Sequence, residues 1–220
     1  MQQRDIPGKE AIIIRQDGTR CLGSDESSGW IWKSGRVLAS HLLSTFNVNN
    51  LRILELGSGT GWLALTLAQE GAILTATERP GALPLLTRNV YGCLDRLANE
   101  SDGMDMSVEV EQCKWEDGIR VPGDFDLVVG TDLLYIVESY APLLNTLILH
   151  DCKRCLLTWE ERIPEEEAVF MTLAAAAGFA FEAPMHIANN EITNNRIWYL
   201  DMSFGSECQQ LQQRSSTISG

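Results

Sequence analysis

The sequence predicts an α/β fold built on a mostly parallel sheet with helices on both faces. Strand-like apolar runs alternate with helix-like segments through most of the chain, the pattern of a wound parallel sheet. The run Leu51-Arg-Ile-Leu-Glu-Leu56 leads directly into Gly57-Ser-Gly-Thr-Gly61 and then the helical segment Trp62-Leu-Ala-Leu-Thr-Leu-Ala68, a Rossmann-like strand–loop–helix junction. Two late strand candidates, 180–187 and 196–204, follow each other without an intervening helix and predict a C-terminal antiparallel hairpin at the sheet edge.

In chain order, 11–14 reads as a short strand outside the main sheet. Residues 34–46 carry Val37, Leu38, His41 and Leu42 at helical spacing. Seven sheet strands are expected at 52–56, 73–77, 107–112, 126–130, 155–159, 180–187 and 196–204. Helices are expected at 62–70, 83–91, 139–149 and 165–177. Residues 1–206 read as one domain with an N-terminal covering segment. The Gln- and Ser-rich stretch 207–220 reads as a disordered tail.

A chain of 220 residues suits one α/β domain with a full core. The formal charge of -13 argues against a broad nucleic-acid or anionic-membrane footprint. The N-terminus is polar and no apolar run reaches transmembrane length, so a soluble chain of the cytoplasm or nucleus is expected. Six cysteines are scattered and read as thiols. The cluster His150-Asp-Cys152-Lys-Arg-Cys155 lacks a second ligand pair for zinc, and reads as a loop entering a strand with Cys155 partly buried.

Glycines at the junction let the backbone approach a ligand and leave helix N–H groups pointing at it. A dinucleotide fingerprint needs glycine at its sixth position, which here is Trp62. Glu55 at the strand end suits a ligand with a cationic end better than a pyrophosphate. S-adenosylmethionine, which carries an ammonium and a sulfonium and no phosphate, meets both conditions. Glu78, ending Ile73-Leu-Thr-Ala-Thr-Glu78, stands where a carboxylate can accept ribose hydroxyls. Trp115 follows the third strand and could equally stack on an adenine or pack in the core. Thr131-Asp132-Leu-Leu-Tyr135 follows the fourth strand. Asp132 stands at the mouth of the sheet, where a helical turn would put Tyr135 on its face; the alternative makes Asp132 a helix cap and Tyr135 core.

Together these residues resemble the class I, seven-strand methyltransferases. Within that class the chain resembles the eukaryotic non-histone protein lysine methyltransferases, which act on elongation factors and on chaperones or chaperone-like ATPases. The resemblance spans Trp30-Ile-Trp32, the Glu55-to-Gly61 motif, Glu78, Trp115, Asp132-x-x-Tyr135 and Glu160-Glu-Arg162. It implies that Trp32 closes over the cofactor, that Gly57, Ser58 and Gly59 cradle it ahead of Gly61, and that Glu78 binds its ribose. Trp115 and Thr131 would flank the adenine, while Asp132 and Tyr135 would face the lysine. Lys33, Glu78, Glu116 and Thr131 depart from the residues usual in that group. The expected reaction is methyl transfer from S-adenosylmethionine to the ε-amino group of a protein lysine, with no metal. The rivals are a small-molecule or nucleic-acid methyltransferase, a nicotinamide-dependent dehydrogenase, and a non-catalytic interaction module. Base-directed amino methyltransferases usually carry two prolines after the fourth strand, and 131–135 has none.

Overall fold

Ile53, Leu54, Glu55 and Leu56 are all buried, so the first core strand is covered on both faces, as a central parallel strand must be. The structure is a computed structural model that describes residues 12, 14–16, 29–100, 106–151 and 153–205. Its elements in chain order are α1 (Lys33–Thr45), β1 (Arg52–Leu56), α2 (Trp62–Ala68), β2 (Ile73–Glu78), α3 (Leu83–Glu100), β3 (Ser107–Gln112), β4 (Leu127–Thr131), α4 (Tyr140–Leu149), β5 (Cys155–Glu160), α5 (Pro164–Ala176), β6 (Ala180–Phe181), β7 (Met185–Asn189) and β8 (Arg196–Ser203). The sheet order is β3-β2-β1-β4-β5-β8-β6, with β7 also paired to β8. Strands β1 to β5 run parallel, and β8 returns antiparallel to β5.

Alternation along each strand divides the apolar residues between two layers. Ile53, Leu74, Val129 and Leu156 pack with Leu38 and Leu42 of α1, Leu65 of α2 and Leu86 and Val90 of α3. Leu54, Leu56, Val128 and Leu157 pack with Leu143 and Leu147 of α4 and Phe170 of α5. All of α2 is buried, which explains its uniformly apolar character. The chain winds from β1 out to β3, then crosses to β4 on the other side of β1. Strand order therefore reverses between β1 and β4, and a crevice opens at their carboxyl ends.

Among the described residues the sheet has eight strands where seven were expected. The predicted strand 180–187 is interrupted at Glu182-Ala-Pro184. Pro184 has no N–H to give the ladder, so β6 and β7 are two pieces along one side of β8, with a further register shift between His186 and Ala188. The helix expected at 83–91 continues to Glu100, because Val90, Cys93 and Leu97 carry its buried stripe past Gly92. Of 11–14, the structure describes Ile12 and Ile14, both buried, and Ile14 forms only a single bridge. The predicted tail lies outside the described residues, as does Cys152. Cys155 is fully buried in β5, more so than expected. His150 accepts the Val121 N–H at Nε2 (2.9 Å) and faces the Thr146 carbonyl with Nδ1 (2.7 Å), so its proton sits on Nδ1. Burial holds its pKa below the usual value. Among the described residues no group of three His, Cys, Asp or Glu side chains could hold a metal ion.

The turn between β7 and β8 is built around Glu160. Its carboxylate accepts hydrogen bonds from Thr193 Oγ1 (2.5 Å), Asn190 Nδ2 (2.7 Å) and Asn195 Nδ2 (3.0 Å). Burial pushes its pKa up, but these donors outweigh it and hold the group below the usual carboxylate range. Glu160→Ala strands all three donors and is expected to cost about 2 kcal/mol in denaturant unfolding. Because the folded pKa is lowered, this contribution is full above the unfolded value near 4.5 and disappears as pH falls through the folded one. The gap between parent and variant should therefore close in acid.

Candidate active site

The loop after β1 is laced to β2 by backbone and hydroxyl groups. The Ser58 N–H donates to the Thr77 carbonyl at 2.9 Å, the Thr77 N–H to Ser58 Oγ at 3.0 Å, and Thr77 Oγ1 to the Glu55 carbonyl at 2.8 Å. Gly57 has φ +64°, and a Cβ there would lie 2.7 Å from Leu133 Cδ2. Gly61, at φ +81°, caps α2, and a Cβ there would lie 2.9 Å from both Leu86 Cδ1 and Val90 Cγ2. The first and third glycines of the motif are thus closed to larger residues by different neighbours: Leu133 at the crevice for Gly57, and Leu86 and Val90 behind the loop for Gly61.

Glu78 is buried at the end of β2. Its Oε1 accepts the Gly59 N–H at 3.1 Å and its Oε2 the Arg79 N–H at 2.8 Å, so this carboxylate also holds the glycine loop in shape. Trp115 opens a single 3-10 turn after β3. It packs on the core beneath α4, as one of its two readings expected, and also lines the crevice. Trp32, at the entrance to α1, closes the opposite wall.

These groups bound one cavity of about 740 Å³. Of the residues singled out in the sequence, Trp32, Glu55, Gly57, Ser58, Gly59 and Glu78 line it, together with Trp115, Thr131, Asp132 and Tyr135. Gly61 does not; it stands behind the loop, against α3.

Glu55 is 2% exposed, and its Oε2 meets no donor among the described residues. Burial raises its pKa, partly opposed by the Ser58 hydroxyl and the Ala64 N–H, and the nearby Glu78 raises it further, to about 8. Without a cationic neighbour this carboxyl is mostly protonated at pH 7.

Asp132 lines the cavity at the mouth of the sheet, as expected, but not through a helical turn. Thr131 ends β4, and residues 132–135 form a bend and a turn but no helix, so Asp132 caps none and Tyr135 shares no helical face with it. Asp132 has φ +53° and is buried, whereas Tyr135 stands on the rim at 40% exposure. The Asp132 N–H donates to the Thr158 carbonyl at 2.8 Å. Its Oδ1 accepts the Glu160 N–H (3.0 Å) and Arg162 Nη1 (3.0 Å), and its Oδ2 accepts the Ser34 hydroxyl. Thr158 Oγ1 in turn donates to the Ser34 carbonyl at 3.2 Å. One carboxylate thus ties α1 to the ends of β4 and β5. Arg162 also lies over the Trp32 ring, 5.2 Å from its centroid, and lines the cavity. Sequence reasoning gave Ser34 and Arg162 no role. The only signal was the position of Glu160-Glu-Arg162 directly after a strand end.

The sequence profile of a family described as lysine methyltransferase matches residues 9–177. The chain belongs to the lysine methyltransferase family. Protein N-lysine methyltransferase METTL21A of Danio rerio is 32% identical over 120 residues, 53% of this chain and 52% of that protein. EEF1A lysine methyltransferase 3 of Mus musculus is 30% identical over 146 residues, 64% of this chain and 56% of that one. The match thus spans a little over half the length of these two family relatives. Among solved structures, magnesium protoporphyrin IX methyltransferase from Synechocystis PCC 6803, determined with bound SAH, superposes with a TM-score of 0.57 at 15% identity, covering 79% of this chain and 83% of that one. It shares the fold of this lysine methyltransferase family member.

The buried carboxyl of Glu55 makes a pH signature. Its folded pKa lies above the unfolded value, so ligand-free stability falls as pH rises from about 4.5 and levels off beyond 8. Glu55→Gln removes the titration, and is expected to stabilise the ligand-free protein by roughly 2–4 kcal/mol at pH 9 and by almost nothing near pH 4.5. Thermal melts of both proteins across pH 4.5–9 check this.

Proposed function

We propose that this chain is an S-adenosylmethionine-dependent protein-lysine N-methyltransferase acting on a non-histone protein in the cytoplasm or nucleus. The observation that carries the reading is the cavity at the β1/β4 crevice, lined by the glycine loop and Glu78 as well as by Asp132 and Tyr135, in a chain of this family. The relative named for EEF1A makes elongation factors the first protein class to test, with chaperones next.

The residues present fit the cofactor on two counts. The buried Glu55 Oε2, unpaired among the described residues, offers an acceptor for an ammonium, and Gly57, Ser58 and Gly59 present the loop to the cavity. Gly57, Ser58 and Gly59 would hold it from β1, Glu78 would accept its ribose hydroxyls, and Trp115 and Thr131 would flank its adenine. When bound, S-adenosylmethionine supplies a methyl group on a sulfonium. The chain's own residues then do the rest. Trp32 and Trp115 close opposite walls against water, Tyr135 stands on the rim where a lysine enters, and the Asp132 network holds the entry wall in one geometry.

Purified protein is expected to bind S-adenosylmethionine and its demethylated product in titration calorimetry. Glu78→Ala should weaken that binding by about 1–3 kcal/mol, since the loop loses its brace and the ligand its acceptor. An ammonium beside Glu55 favours the charged carboxylate, so binding at pH 7 should release close to one proton. Titrations in buffers of different ionisation enthalpy read this directly; Glu55→Gln should abolish the release. Preferential binding of NAD would replace this reading with the dehydrogenase. The activity is tested by methyl transfer from labelled cofactor into extract of cells lacking the enzyme, followed by identification of the labelled protein and residue. Label on a nucleic acid or small molecule, or none at all, would refute a protein-lysine activity.

A further inference from the structure

We infer that Arg162 is a positioning residue of the transfer reaction: paired with Asp132 at the cavity wall, it cancels the carboxylate that would otherwise hold the substrate lysine as an ammonium. The inference rests on the proposed lysine methylation.

The geometry is specific. Arg162 Nη1 lies 3.0 Å from Asp132 Oδ1 and 3.4 Å from the Glu160 carbonyl, and its guanidinium covers the Trp32 ring. Its main-chain N–H donates to Glu167 Oε1 at 2.7 Å. Arg162 is therefore seated from several sides, with a third of its side chain exposed towards the mouth, while the Asp132 side chain is 5% exposed. Among the described residues, Asp132 accepts from Ser34, the Glu160 N–H and Arg162. A lysine entering here meets a carboxylate that is already neutralised.

The other charges nearby do not replace this pair. The Glu160 carboxylate turns away into the β7–β8 turn. Glu167 is occupied by Trp159 Nε1 and the N–H groups of Arg162 and Ile163. Lys33 is bound to Glu191 at 3.0 Å. Glu55 and Glu78 lie at the ends of β1 and β2, with Arg79, and Lys114 and Glu116 follow β3, whereas Asp132 and Arg162 follow β4 and β5.

The chemistry needs this cancellation. Only the neutral amine has a lone pair to form the N–C bond as the S–C bond breaks and its electrons pass to sulfur. A lysine of ordinary pKa, about 10.4, must first give a proton to water. An unpaired carboxylate a few ångströms away would raise that pKa, and a guanidinium opposes the rise. Arg162 thus lowers the pH at which transfer becomes fast, whereas Asp132 supplies architecture.

The test is the pH profile of single-turnover methyl transfer into the acceptor protein isolated from enzyme-deficient extract. Arg162→Met should move the acid limb upward by about one pH unit, an approximately tenfold slowing at pH 7 that disappears in alkali. Arg162→Lys should keep the limb near its parent position. Asp132→Asn, which leaves the guanidinium uncompensated, should move it downward, and the double variant should lie between the two single ones. Product affinity by calorimetry should change less than about threefold in Arg162→Met, while the acceptor should bind the product complex as tightly or more tightly. A limb that stays in place in both Arg162→Met and Asp132→Asn would overturn the inference, as would weaker acceptor binding in Arg162→Met with an unmoved limb. Failure of the parent to label any protein lysine would overturn the proposed function and this inference together.

Discussion

Five parallel strands must all finish at the same edge of a sheet, and almost everything functional in this protein follows from that constraint. The ends of β1, β2, β3 and β4 deliver a glycine loop, Glu78, Trp115 and Asp132 to one crevice although these residues are far apart in sequence. Reversal of strand order between β1 and β4 opens the space. The two apolar layers, α1 to α3 on one side and α4 with α5 on the other, keep the strands in register, so a change in the core is felt at the edge.

The parts legible in the sequence are those set by local chemistry. A strand running into Gly57-Ser-Gly-Thr-Gly61 leaves few alternatives, and Glu78 follows at the end of the next strand. The alternation of strand and helix named the fold class, and Trp62 argued against a dinucleotide. What escaped depends on distant partners. Ser34 lies 98 positions before Asp132, and Arg162 lies 30 after it. No pattern of period two or 3.6 encodes a buried carboxylate shared by three elements. The split of the strand at Pro184 was visible as a residue, but its outcome depended on β8 beside it. Gly92 likewise carried no local sign that the helix would run on; the apolar stripe beyond it decided.

The structure also separates two kinds of acid at the site. Glu55 is buried with an oxygen unpaired among the described residues and holds a proton at neutral pH. Asp132 is buried with all its obvious valences met by neighbours from α1, β5 and Arg162. The first has room for a cation brought from outside. The second already has one from within. Equal exposure therefore hides opposite chemistry, which depends on whether the charge's partners come with the fold.

β3, at the far end of the sheet, pairs only with β2 among the described residues, and its residues alternate between sheltered Val108 and Val110 and exposed Glu109 and Glu111. A row of free backbone groups at such a margin invites another chain to extend the ladder. Two copies meeting there would bring acidic side chains together along the new seam, with no apolar strip to offset their repulsion. The opposite margin offers only two residues of β6 and a broken β7. The same sheet that gathers a reactive crevice at one rim is thereby a poor template for fibrils at its sides.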